Sequence, residues 1–231
     1  MRAVLWDMDG TLVDSEKLWG VALNALYARL GGRLTVRVRE ATVGSSAGEA
    51  MRIVHTDLGL SLDAAAMAAS TEYLHGHVGA LFAAGLPWCA GARELLAELA
   101  AAAIPMALVT NTCRSLTERA LDSIGRDHFS ASVCGDEVRH GKPAPDSYRA
   151  AAAALGVTPA QCLAVEDSPT GVTAARAAGC PVLVVPNAVA VPAGPGRKRA
   201  ASLADFDVAG LRAVHRELLA AETGVTSRNS P

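Results

Sequence analysis

Lysine is nearly missing from this chain. Of 21 basic side chains in 231 residues only Lys17, Lys142 and Lys198 are lysines, so each carries more information than a lysine usually does. Aromatics are also few, at 4%, against 51% hydrophobic and 19% charged residues. That composition excludes a disordered chain and describes a globular protein rich in Ala, Val and Leu. Charge of one sign is absent too: the net value is −2, which removes the electrostatic case for nucleic acid or an anionic membrane as partner. No run approaches the roughly 18 apolar residues of a membrane span, and the start carries acids where a secretory segment needs an unbroken apolar stretch. A cytoplasmic protein, monomer or weak dimer, is expected. The five cysteines, Cys89, Cys113, Cys134, Cys162 and Cys180, are odd in number and widely spaced without a C-x-x-C pair. They read as reduced, mostly buried thiols.

What is present begins at once. Val4-Leu5-Trp6 reads as a buried strand that ends in Asp7-Met8-Asp9-Gly10. In extended backbone positions i and i+2 face the same side, so the two carboxylates start out together while Gly10 turns the chain away. At about 4 Å and an effective dielectric of about 20 their repulsion costs roughly 4 kcal/mol. A cation is needed nearby.

Beyond this turn residues 14–31 carry Leu18, Val21, Ala22, Leu26 and Leu30 at helical spacing, with Ser15 as N-cap and Gly31-Gly32 as stop. Residues 49–58 and 62–84 continue the helical pattern, interrupted at Gly44-Ser45-Ser46 and Gly59. From Pro87 the regime changes. Helices over 92–102, 116–124, 147–155 and 170–178 alternate with apolar strands over 106–109, 131–134, 162–165 and 182–185. Such alternation implies right-handed crossovers and a parallel sheet covered on both faces. The expected fold is therefore α/β, a Rossmann-like parallel sheet core (residues 1–14 and 87–231) with an inserted all-helical cap (15–86). The Pro- and Gly-rich stretch 189–201, with Arg197-Lys198-Arg199, reads as a solvated loop. A last helix over 206–221 closes the core, and the tail 226–231 is expected to fray.

Ligands of an open parallel sheet gather at the carboxyl ends of the strands. Those ends carry Asp7 and Asp9, Thr110-Asn111, and Glu166-Asp167, with Lys142 in the loop before the helix leading to the last strand. The aspartates offer hard oxygens that suit Mg²⁺ together with waters and a substrate phosphate oxygen. A Ca²⁺ loop counted from Asp7 would need Gly and Glu where Leu12 and Leu18 stand, and is excluded. Taken singly each feature has a plainer reading: Thr110 or Asn111 capping the next helix, Lys142 solvated, Ser168 and Pro169 opening a helix before which Asp167 merely sits. Their coincidence at successive strand ends favours one site.

The ordered set D-M-D-G-T, a strand-closing Thr, K-P and E-D is similar to the haloacid dehalogenase-like hydrolase superfamily, over residues 1–187. The resemblance implies a helical cap inserted after the first strand, Asp7 as nucleophile and Asp9 as general acid/base, with its backbone carbonyl on the metal. Thr110 and Asn111 would hold the phosphoryl group, Lys142 would neutralise it and orient Asp7, and Asp167 would ligate Mg²⁺ with Glu166 in or just behind the ligand set. The implied activity is hydrolysis of a small phosphorylated metabolite through an aspartyl-phosphate.

Within that superfamily the second aspartate and the metal argue against a dehalogenase. Lys17, alone in the cap, makes a poor Schiff-base lysine. A β-phosphoglucomutase-type mutase is the alternative, yet Ala47 stands where those mutases grip the distal phosphate with Arg, Trp19 where they have His and Val43 where they have Lys. The run from Asp14 to Trp19 resembles sugar and sugar-alcohol phosphatases. Trp19 either closes over the substrate body or packs in the cap stem. Gly44, Ser45 and Ser46 form the expected specificity loop, closing over Asp9. Arg52, His55, Glu72, His75 and His77 are further candidates for substrate contacts. A regulatory binding protein on a phosphatase fold is the non-enzyme alternative, disfavoured because every catalytic position is filled.

Overall fold

The computed structural model describes residues 1–226. Six strands form one parallel sheet in the order β3-β2-β1-β4-β5-β6. They are β1 (Ala3–Trp6), β2 (Met106–Val109), β3 (Ala131–Val133), β4 (Cys162–Glu166), β5 (Val182–Val184) and β6 (Arg197–Arg199). The chain's first strand thus lies at the middle of its sheet, between β2 and β4.

Alternation along the strands builds two cores. Val4, Trp6, Met106, Leu108, Leu163 and Val165 face one side. There they meet α5 (Ala92–Ala101), α6 (Arg114–Ile124) and α9 (Val208–Thr226) through Leu96, Leu121 and Leu211. Ala3, Leu5, Ala107, Val109 and Ala164 face the other, under α7 (Asp146–Ala154) and α8 (Pro169–Ala178). Small residues dominate that second face and let the helices approach closely.

Between β1 and α5 the chain is helical: α1 (Glu16–Arg29), α2 (Val36–Thr42), α3 (Ala47–Asp57) and α4 (Ala64–Ala83). Two sequence expectations need correction here. The buried apolar face of α1 is Ala22, Leu23, Leu26 and Tyr27, while Val21 is 55% exposed. The short helix α2 was not expected; Thr35 caps it by accepting from the Val38 N–H.

The stretch around Arg197-Lys198-Arg199 is also not a solvated loop. It pairs in parallel with β5, the Ala200 N–H reaching the Val184 carbonyl at 2.9 Å, and Lys198 pairs with Glu217 of α9. Charged side chains on such an edge strand discourage further pairing. The tail beyond Thr226 lies outside the described residues. Among those described, no helix is long and apolar enough to cross a membrane.

Candidate active site

Sheet register brings the site together. Trp6 stands beside Leu108 on one side and Val165 on the other. One residue further along, the same three strands present Asp7, Val109 and Glu166; one more, Met8, Thr110 and Asp167. Side chains that are distant in sequence therefore meet because their strands end level.

Lys142, 5% exposed, enters from the loop before α7. Its Nζ donates to Asp7 Oδ1 at 2.6 Å and to Glu166 Oε1 at 2.7 Å. Tyr148 of α7 donates its hydroxyl to the same Glu166 oxygen and lays its ring 5.2 Å from the ammonium. Glu166 is thus engaged by Lys142 and Tyr148, and its other oxygen accepts from Ser168. Asp167 is different: it is 1% exposed and its Oδ2 has no partner. Gly10, at φ +83°, makes room for that oxygen, since a Cβ there would lie 2.1 Å from it.

Asp7, Glu166 and Asp167 each place an oxygen within 4.8 Å of the others. Burial first, then Glu166, pushes the Asp7 carboxyl up to about 8, against the pull of Lys142. Burial and Asp7 also push Asp167 well above the ordinary range. Burial would lower Lys142, but its two carboxylates raise it overall, so it stays charged. Three buried carboxylates against one ammonium, with one oxygen orphaned, form a hard oxygen donor set that fits a small divalent cation.

Asp9 is held by neutral groups instead. Its Oδ1 accepts from Ser15 Oγ at 2.6 Å and Trp19 Nε1 at 2.9 Å, and its Oδ2 from Thr112 Oγ1 at 2.7 Å and Thr110 Oγ1 at 3.3 Å. Ser15 occupies the first cap position of α1 without capping it, because its hydroxyl is spent on Asp9. Trp19 packs edge-on against His75 and Phe82, as the cap-stem alternative expects, while its indole N–H reaches Asp9.

Asn111 acts as a bracket. Its amide donates to the Gly44 carbonyl at 2.9 Å and the Lys142 carbonyl at 3.0 Å, and its oxygen accepts from the Lys142 N–H at 2.8 Å. Neither Thr110 nor Asn111 caps α6, whose N-cap position is Cys113. Ser168 caps α8 ahead of Pro169, as expected.

A pocket opens between these residues and the helical insertion. Trp19, Gly44, Ser45 and His75 line it beside Asp7 and Asp9. Gly44, at φ +67°, brings the cap loop onto the core; a Cβ there would meet Ser168 Oγ at 2.8 Å. Ser46, next to Gly44 and Ser45, caps α3 by accepting from the Glu49 N–H and does not line this pocket. His55 is buried and bonded to Ser61 and Ser70, Arg52 pairs with Glu49 on the surface, and His77 turns to the Tyr73 carbonyl. Of the five polar cap candidates His75 is on the wall of this pocket.

Sequence reasoning did not find Ser15, Thr112, Tyr148, Glu16 or Arg39 as parts of the site. Glu16 and Arg39 line the pocket as a part-buried ion pair. Burial raises the Glu16 carboxyl while Arg39 opposes it. Nothing in the spacing of these five marks the groups they reach; the relation is spatial.

A model of the haloacid dehalogenase-like hydrolase family matches residues 1–179. Hexitol phosphatase A of Escherichia coli strain K12 is 35% identical over 188 residues, covering 80% of this chain and 82% of that protein. A probable pseudouridine-5'-phosphatase of Drosophila melanogaster is 34% identical over 198 residues, covering 79% and 80%. Among solved structures, CbbY from Rhodobacter sphaeroides in complex with phosphate superposes with a TM-score of 0.80 at 29% identity, over 92% of this chain and 99% of that one.

Proposed function

The chain belongs to the haloacid dehalogenase-like hydrolase family, and from this we propose that it is a Mg²⁺-dependent cytoplasmic phosphatase. Its substrate is a small phosphate monoester, a sugar phosphate or close analogue, hydrolysed through an aspartyl-phosphate. The observation that carries the reading is the Lys142 ammonium bridging Asp7 and Glu166 beside the orphaned Asp167 oxygen. It is a carboxylate nucleophile held by one cation, with the ligands for a second in place.

Asp7 attacks phosphorus and the ester oxygen leaves with a proton from Asp9. Asp9 then takes a proton from the water that attacks the aspartyl-phosphate, releasing phosphate and restoring Asp7. This divides one difficult hydrolysis into two easier steps. Lys142 holds Asp7 in line and faces the charge spreading over the phosphoryl oxygens, with Thr110 and Asn111 beside it. Tyr148 and Glu166 fix the direction of the lysine. Asp7, Asp167 and the Asp9 carbonyl are the groups that would hold Mg²⁺, with Glu166 at their edge. When bound, the ion supplies neutralising charge to the nucleophile and the transferring phosphoryl group.

Residues 15–86 serve as the cap that selects substrate, and residues 1–14 with 87–231 as the catalytic core. Both sides of the pocket come from one chain, so the reading requires no second copy. Hydrolysis is preferred to mutase chemistry because Ala47, on the pocket wall, offers no grip for a second phosphate.

The purified protein should release phosphate from p-nitrophenyl phosphate and sugar phosphates with Mg²⁺, and EDTA should abolish this. Asp7→Asn should lower kcat by at least about a thousandfold. Activity surviving that substitution would remove Asp7 as nucleophile. Conversion of β-glucose 1-phosphate to the 6-phosphate without phosphate release would replace the hydrolase reading by the mutase.

A further inference from the structure

A monoester whose phosphate sits at Asp7 and Lys142 must extend its other end toward the cap. Recognition of a second anion there needs a cation with free donors and no compensating negative charge. Two permanent cations line the pocket, Lys142 and Arg39. Lys142 is committed to Asp7 and Glu166.

Arg39 of α2 is committed as well. Its Nη2 contacts the Glu16 carboxylate and donates to the Glu16 backbone carbonyl at 2.6 Å. The Arg39 and Glu16 side chains are only 20% and 7% exposed. The pair is neutral as a unit, yet the guanidinium keeps N–H groups and the carboxylate keeps lone pairs. Donor beside acceptor is the complement of a hydroxyl chain, in which every group both donates and accepts. Thr42 and Ser45 add uncharged polar groups to the wall, whereas His75 presents Nδ1 to the Cys113 sulfur at 3.7 Å.

We propose that the Glu16–Arg39 pair sets the substrate class, admitting monophosphates with a neutral, hydroxylated far end and rejecting those that carry a second anionic group. The proposal rests on the phosphatase reading above. Discrimination arises from both attraction and repulsion: hydroxyls satisfy the pair, while a second anion meets the Glu16 carboxylate and finds its guanidinium already taken.

Sorbitol 6-phosphate and 6-phosphogluconate test this directly, being open six-carbon chains that differ at the end remote from phosphate, alcohol in one and carboxylate in the other. Each is titrated as a competitive inhibitor of p-nitrophenyl phosphate hydrolysis. The wild type should bind sorbitol 6-phosphate at least about tenfold more tightly, and Glu16→Gln, by freeing Arg39, should shrink the ratio at least about tenfold. Equal inhibition of the wild type, tighter binding of 6-phosphogluconate or inhibition by neither would overturn the proposal. An unchanged ratio in a folded Glu16→Gln protein would overturn it also, and where that variant fails to fold the wild-type ratio decides. Failure to hydrolyse p-nitrophenyl phosphate at all is a separate result and removes the phosphatase reading itself.

Discussion

Cys113 lies on the wall of the pocket beside Asp7 and Asp9, at the N-cap position of α6, three residues past Thr110. Burial alone would raise its thiol, but hydrogen bonding to His75 and Ser115 and the Leu116 N–H brings it down to about 7. Burial holds Cys89 and Cys180 up at about 12 and Cys134 and Cys162 at about 11. The thiolate is the reactive form. Iodoacetamide should therefore label Cys113 first, with a rate that climbs between pH 6 and 8 about a midpoint near 7. Mass spectrometry of the digest reads this, and equal labelling of Cys89 would contradict it. The same residue marks how far a sequence can be read at this scale. Asp7, Asp9, Lys142 and Asp167 were visible because each closes a strand or stands in a short motif. The hydroxyl of Thr112 and the indole of Trp19, both donors to Asp9, were not visible as such, because nothing in their spacing marks the carboxylate they reach.

Elements announced themselves where pattern and propensity agreed, and failed to where tertiary contacts decided. The run Val36-Arg37-Val38-Arg39 alternates like a strand, yet it is the start of a helix, α2, with Val36 75% exposed and Val38 buried. The Thr35 cap and the grip of Arg39 on Glu16 overrule the β-branched preference. Strand β6 was hidden for the opposite reason: its three basic residues carry no hydrophobic signal, and only pairing with β5 makes it a strand. The loop between α2 and α3 carries the element-scale prediction. Gly44→Ala places a Cβ against Ser168 in a left-handed conformation that costs about 1–2 kcal/mol for an L residue. It also threatens the Asn111 bond to the Gly44 carbonyl. Cap closure becomes harder, and KM for a sugar phosphate should rise about tenfold. Steady-state kinetics alongside a melting curve would check it; an unchanged KM would show that this loop does not govern closure.

At the scale of the whole molecule, the parallel sheet and the helical insertion were legible because alternation of short apolar strands with helices admits few arrangements. Strand order was not. Nothing local in Val4-Leu5-Trp6 says that it will lie between β2 and β4, and that placement is what brings Asp7 level with Glu166. The site is thus a product of topology: three strand ends, one loop lysine and the helical insertion lining the pocket from the same chain. In the proposed reaction Asp7 carries the phosphoryl group between the two steps. Quenching the protein during turnover with Mg²⁺ and a sugar phosphate, then reducing with borohydride, converts an aspartyl-phosphate to homoserine that peptide mass spectrometry locates. Homoserine at position 7, and its absence without substrate, is the predicted result. Phosphate release with no reduction product at position 7, or with one at another carboxylate, would contradict the account.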